Sequence, residues 1–455
     1  MTKHRKNSRR SFLKQAGTVP FLKYAPLMTG LGTAQAAVCN ANTTQSLVCV
    51  FLLGGADSFN FVVPRGNAYD DYLATRGSMA VPSNNLINAS DPRLGDIGFN
   101  DRLPGLHELF QDNQLAVVAN VGNLIRPTTK ANFNASTSLP ESLFAHNAQQ
   151  KLWQTASGNL SDSFGWGGSI AQNVANCNNS SNIATSISID GSNNWLSNVQ
   201  ESFISLSPTT NIQRMAGFNS ASLQQTLEAL IQDARSQQNS PFQQEVANAI
   251  GRANSTANNL VDAINDHPVS NLNPDGDLQQ QLHLVARLIS AREDLNMGKQ
   301  VFYVGLGGWD THSNQNVRIE PLLDELNTAL TTFQEAIDGM GKGNTVTTFT
   351  ASDFGRTLTT NGDGTDHGWG GHSLVMGGQV DGGKIYGDFP SFKSQNNPDD
   401  AGDNNNFAGR IIPKIAVSQF AATLADWMGV TPLEQAAMLP NLANFSVKNL
   451  GFMGS

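Results

Sequence analysis

SLVCVFLL, residues 46–53, runs into Gly54-Gly55-Ala56-Asp57-Ser58. An uncharged run of this length, without polar alternation, reads as a strand covered on both faces. Such strands belong to parallel sheets with helices above and below. The two glycines let the backbone turn sharply, and an acid follows directly.

The same pattern recurs along the chain. Residues 115–121 (LAVVANV), 301–306 (VFYVGL) and 345–350 (TVTTFT) read as further strands. Helical periodicity occupies 222–236, 243–264, 277–294, 318–340 and 416–430. Strands alternating with helices predict an α/β fold with a mainly parallel central sheet flanked by helices. The Gln-rich stretch of about 205–295 reads as a helical insertion. No linker divides residues 37–455, which reads as one domain.

The chain has 455 residues, 39% of them hydrophobic, enough for a sizeable core. Only 14% are charged, and the formal net charge is −9. That balance excludes a generally basic nucleic-acid binder. Residues 1–36 differ: they carry seven Lys and Arg and no acid. Removing those seven from 28 leaves 21 positive charges against 37 acids, or −16 for the remainder. Ser8-Arg9-Arg10-Ser11-Phe12-Leu13-Lys14, a short apolar stretch and Ala34-Gln35-Ala36 form a basic, apolar and small-x-small series. It matches a twin-arginine signal, which predicts use of the twin-arginine export machinery and a periplasmic or secreted product. No later run is long and apolar enough for a membrane span. The three cysteines, Cys39, Cys49 and Cys177, include no Cys-x-x-Cys pair, so a thiolate zinc site is excluded. Cys49 reads as a buried small hydrophobe, and a Cys39–Cys177 disulfide is compatible with an oxidising compartment.

Ligands of open α/β sheets bind outside the carboxyl ends of the strands. Here each of three strands delivers an Asp just past its end: Asp57, Asp310 and Asp353. Carboxylates gathered at one rim repel, and a divalent cation relieves that repulsion. Gly307-Gly308-Trp309-Asp310-Thr311-His312 adds a histidine. Thr365-Asp366-His367-Gly368-Trp369-Gly370-Gly371-His372 adds an acid and two more. This last segment lies in a stretch, 355–387, with 11 glycines in 33 residues, whose ordering costs entropy that ligation offsets. Asp with His suits zinc or another transition metal, and a carboxylate majority also admits calcium, magnesium or manganese. Arg356 reads either as an anion-holding group or as a salt-bridge partner of a nearby aspartate. His146 opens a helix and is a candidate wall of a substrate site. His367 and His372 are each candidates for ligand or general acid.

Taken in order, LLGGADSFNFVVP (52–64), LFAHNAQQKLWQT (143–155), GGWDTHSNQ (307–315), ASDFGRT (351–357), GTDHGWGGHSLVMGG (364–378) and GGKIYGDFP (382–390) resemble the exported bacterial family called domain of unknown function 1501. The resemblance implies a fold similar to the alkaline phosphatase and sulfatase superfamily, with a metal site at the strand ends. It likens Asp57 to that superfamily's first-strand ligand, Asp310 and His312 to its Asp and His pair, and Asp353 to a further Asp ligand. His367 or His372 then supplies the final histidine. Phe354 stands where a partner His is expected, and Ala145 where relatives tend to carry Ser.

Together these features predict an exported metal-dependent hydrolase of phosphate or sulfate esters, acting on a small anionic substrate. Two alternatives stand beside it. One is a non-catalytic binding or assembly protein that keeps the fold. The other is a serine esterase of the Gly-Asp-Ser-Leu type with Ser58 as nucleophile.

Overall fold

Along strand Gln45–Leu52, successive side chains point into two different cores. Val48, Val50 and Leu52 enter one, and Leu47, Cys49 and Phe51 enter the other. A strand buried on both faces must lie inside a sheet sandwiched between helices, and the computed structural model has that arrangement. It describes residues 44–179, 183–200, 203–207, 221–236, 240–269, 274–402 and 407–454. All of these lie in one compact unit, Cys39–Ser455. The expected signal, 1–36, lies outside the described residues.

Among the described residues the central sheet has nine strands. Its order is Ile385–Tyr386, Leu115–Gly122, Gly371–Met376, Val346–Ser352, Gln45–Leu52, Lys299–Leu306, Ser186–Ser188 and Ile204–Ser205, with Ile415–Ala416 also pairing Leu115–Gly122. Only Gly371–Met376 runs against its neighbours, so the sheet is mainly parallel.

Helices Pro104–Gln111, Asp277–Ser290 and Gln315–Gly339 cover one face with residues such as Leu106, Leu282, Leu326 and Phe333. Trp166–Val174 and Val417–Trp427 cover the other with Trp166, Ile170, Phe420 and Leu424. Each fully buried large side chain stabilises by roughly 1.5–3 kcal/mol relative to exposure, so these two layers fix the sheet.

Asp277–Ser290, within the stretch expected to be an insertion, packs against the sheet. Its Gln281 donates to the Gly305 carbonyl at 2.7 Å and accepts the Gly305 N–H at 2.9 Å, tying the helix to strand Lys299–Leu306. The remaining helices of that region are Ala221–Ser236 and Pro241–Asp266. The Gly-rich segment is also more regular than its composition implies. Thr365–His367 pairs with Arg356–Thr360, and Gly371–Met376 enters the central sheet. Leu374, Val375 and Met376 are buried there, and their apolar run outweighs the glycines before them.

Leu52 aligns with both Leu306 and Ser352. The segments that follow these three strands therefore leave the sheet at one edge. Gly54 has φ 117°, and a Cβ on it would lie 2.6 Å from the Asp310 nitrogen. The first rim turn thus presses directly on the segment that carries Asp310.

Cys49 is free and buried, and Cys177 is disulfide-bonded. Cys39 lies outside the described residues. Among the described residues no helix is long and apolar enough to cross a membrane.

Candidate metal centre

Helix His146–Thr155 begins after a tight approach in which Ser142 and Phe144 have φ of 47° and 70°. Non-glycine residues in this region carry strain of about 1–3 kcal/mol, which the surroundings must hold. The consequence is visible at once: the Phe144 carbonyl accepts a hydrogen bond from His367 Nδ1 at 2.6 Å. One residue on from Ala145, His146 places Nδ1 2.7 Å from Asp353 Oδ2. Gln150, one turn further along the same helix, donates to Asp353 Oδ1 at 3.4 Å.

Opposite them, the segment after strand Lys299–Leu306 supplies Asp310 and His312. His312 Nδ1 lies 3.2 Å from Asp366 Oδ1, which Asn361 also approaches at 3.0 Å. A carboxylate or carbonyl oxygen only accepts, so each of these three Nδ1 atoms carries the proton. The three histidines are thereby fixed in one tautomer, each with its Nε2 lone pair turned the other way.

Those lone pairs converge on Asp310 Oδ1. It lies 3.1 Å from His312 Nε2 and 3.5 Å from both His146 Nε2 and His367 Nε2. His312 and His367 bring their Nε2 atoms to 2.8 Å. The ligand atoms of His146, Asp310 and His367 all lie within 4.8 Å of one another. His146 Nε2 is buried and has no hydrogen-bond partner. Tetrahedral bonds of about 2.0–2.1 Å place neighbouring ligands about 3.3 Å apart, close to the spacings around Oδ1. His146, Asp310 and His367 are therefore compatible with a divalent cation, and His312 adjoins them. Oxygen acceptors behind ligating imidazoles are the usual orienting shell of such sites.

The Asp353 hydrogen bond raises the pKa of His146 above its ordinary value, against the effect of burial. Burial lowers that of His367, with the Phe144 hydrogen bond opposing. For Asp310 burial pushes upward, yet the hydrogen bond and charge of Arg356 outweigh it and hold the carboxyl low. Asp366 is held low chiefly by Asn361, then by His312.

Of the residues singled out from sequence, Asp310, His312, His367 and His146 come together. Asp353 and Asp366 stand one step back, each orienting a histidine. Arg356 is fully buried and directed at protein oxygens: Asp310 Oδ1 at 2.8 Å, Thr365 Oγ1 at 3.2 Å and the Thr365 carbonyl. That is the salt-bridge reading, and the anion-holding one gives way because the guanidinium faces inward. Asp57 is fully buried against Arg76, and Gln315 Nε2 donates to its Oδ2 at 2.6 Å. It stands at the same sheet edge but outside the cluster.

His372 also lies apart. It packs edge-on to Phe59 and Phe389 at 5.1 and 5.3 Å, and its Nδ1 accepts the Asn120 N–H at 3.1 Å. Burial lowers its pKa to about 3, so it stays neutral. Ser58 is buried with its Oγ accepting the His372 backbone N–H at 2.6 Å, and His372 Nδ1 already accepts from Asn120, which leaves the ring proton on Nε2. Ser58 therefore lacks the base a serine esterase needs. The sequence reading missed Gln150, the Phe144 carbonyl and Gln315. Only the i, i+4 spacing of His146 and Gln150 on one helix was available as a signal.

The family model described as protein of unknown function, DUF1501, matches residues 44–409. No curated protein matches the chain. Among solved structures, Ps i-CgsB in complex with k-i-k-neocarrahexaose aligns at 11% identity over 90% of this chain and 77% of that one, with a TM-score of 0.33. The PsFucS1 sulfatase from Pseudoalteromonas sp. aligns at 9% identity over 77% of this chain and 65% of that one, with a TM-score of 0.31. Neither likeness is close enough to transfer a site.

Proposed function

The chain belongs to the DUF1501 family of proteins of unknown function, and from the geometry of its rim we propose that it is an exported, metal-dependent hydrolase of phosphate or sulfate esters. The observation that carries the reading is the convergence of three Nε2 lone pairs on Asp310 Oδ1 at 3.1–3.5 Å. His146, Asp310, His312 and His367 would hold the cation. When bound, it supplies Lewis acidity and positive charge for an anionic ester.

The chain's own residues do the rest. Asp353, Asp366 and the Phe144 carbonyl hold the Nδ1 protons, so the imidazoles do not have to reorient. Arg356 fixes Asp310 from the buried side. Asp310 keeps 45% of its side chain exposed, which leaves the open side accessible to substrate. With Ser58 buried, the nucleophile in this reading is water. Twin-arginine export, which carries folded proteins, accords with a cation inserted before export.

A non-catalytic binding protein is the second reading. It draws on Ala145 and Phe354, apolar where the family resemblance leads one to expect a hydroxyl and an imidazole. Protein purified from its export route should be assayed for bound metal and for hydrolysis of p-nitrophenyl phosphate and p-nitrophenyl sulfate. Turnover abolished by chelator and restored by metal supports the hydrolase. Bound metal with no turnover on a broad ester panel supports the binding protein instead.

A further inference from the structure

Asp57, Gln315, Thr311 and Thr365 are all buried, and they form one hydrogen-bonded unit beneath the cluster. Gln315 Nε2 donates to Asp57 Oδ2 at 2.6 Å. Its Oε1 accepts the Thr311 hydroxyl at 3.1 Å and the Thr365 hydroxyl at 2.6 Å. Thr311 sits between Asp310 and His312, and Thr365 lies two residues before His367. One amide oxygen therefore ties together the two chain segments that bear three of the four converging side chains.

We propose that Gln315 is a positioning residue that staples the two ligand-bearing segments at their binding geometry, with Asp57 as its anchor. The logic is directional. A carboxylate only accepts, so Asp57 draws the NH2 end of the amide and turns the carbonyl end toward the threonines. Arg76, buried against Asp57, holds that carboxylate in place. The unit then reaches the cluster by a second route, because Thr365 Oγ1 also accepts from Arg356 Nε at 3.2 Å and Arg356 holds Asp310. Asp57 thus acts on the site through charge orientation and touches no ligand atom. Partners hydrogen-bonded to ligating residues typically change affinity by about 10- to 100-fold when removed, and this unit reaches Asp310 through Arg356.

This inference rests on the metal reading above, and the two fail differently. Zinc ion alone is titrated into metal-stripped full-length protein in competition with a chromophoric chelator, and near-UV circular dichroism verifies the fold of each variant. Wild-type protein that takes up no zinc overturns the metal reading. Given wild-type binding, Thr311→Val and Thr365→Val should each weaken zinc by about 10- to 100-fold, while Thr311→Ser and Thr365→Ser, which keep the hydroxyl, stay within about threefold. A Val variant that does not fold is replaced by Ala at the same position. Folded variants lacking the hydroxyl that bind zinc as wild type overturn the staple, as does a loss that Ser fails to rescue.

Discussion

His146 Nδ1 meets Asp353 Oδ2 at 2.7 Å although 207 positions separate them in the chain. The sheet makes this contact. Strand Val346–Ser352 ends at the rim, Asp353 follows it, and the N-terminus of helix His146–Thr155 is lowered onto the same edge. We expect Asp353→Asn to preserve the fold and weaken cation affinity by about 10- to 100-fold, since the amide can present its NH2 and favour the wrong tautomer. Zinc titration of the folded variant checks this, and unchanged affinity would remove Asp353 from the orienting role.

Cation binding should depend on pH in a stated direction. Ligation needs neutral imidazoles, so protons compete. His146 is raised above the ordinary histidine value of about 6.5 by Asp353. Affinity should therefore begin to fall while pH is still above about 6.5. His367, held low by burial, should remain available below that point. Isothermal titrations across pH 5–9 test the sign, and affinity that rises on acidification would contradict the assignment.

Asp57 and Asp310 follow the first and third expected strands in the same way, yet one is fully buried and the other half-exposed at the cluster. Asp57→Ala leaves Arg76 buried without its partner, and breaking a buried pair costs about 3–5 kcal/mol. Asp310→Ala removes a half-exposed carboxylate from the cluster. Thermal melting of metal-stripped protein should fall for both, since Asp310→Ala likewise leaves buried Arg356 without its carboxylate, whereas only Asp310→Ala should abolish zinc uptake in folded protein. The reverse pattern would restore Asp57 as a ligand.

Buried His372 has a folded pKa of about 3 against about 6.5 in the unfolded chain. Above about 6.5 both states are neutral and nothing is lost. As pH falls from there toward 3, the unfolded chain takes up a proton that the folded state refuses, and stability drains. Melting temperature should drop across this window, and His372→Leu should flatten the drop relative to wild type. An equal slope in both would place the acid sensitivity elsewhere.

Much of this was legible in the sequence, for reasons that also mark where legibility ends. The uncharged run at 46–53 could only be a doubly covered strand, and an acid after each of three such strands pointed to one rim. Burial of the acid was not legible. Asp57 looks the same in sequence whether it faces solvent or Arg76, and nothing local marks Arg76, on helix Asn67–Arg76, as a core residue. His367 and His372 also look alike among their glycines. The segment after His367 turns into strand Gly371–Met376, whose pleat sends His372 between two phenylalanines. His146 gained its role from Asp353, a long-range contact that no spacing within 143–155 could reveal.

In the proposed reading, four side chains from three separate segments hold one divalent cation. Zinc-edge X-ray absorption on full-length protein loaded with one equivalent of zinc measures this directly. Three imidazole nitrogens and one carboxylate oxygen at about 2.0–2.2 Å are expected, with a solvent oxygen in a further position, and one imidazole is lost in His312→Ala. An all-oxygen shell, or a spectrum that His312→Ala, His146→Ala and His367→Ala leave unchanged, would contradict it.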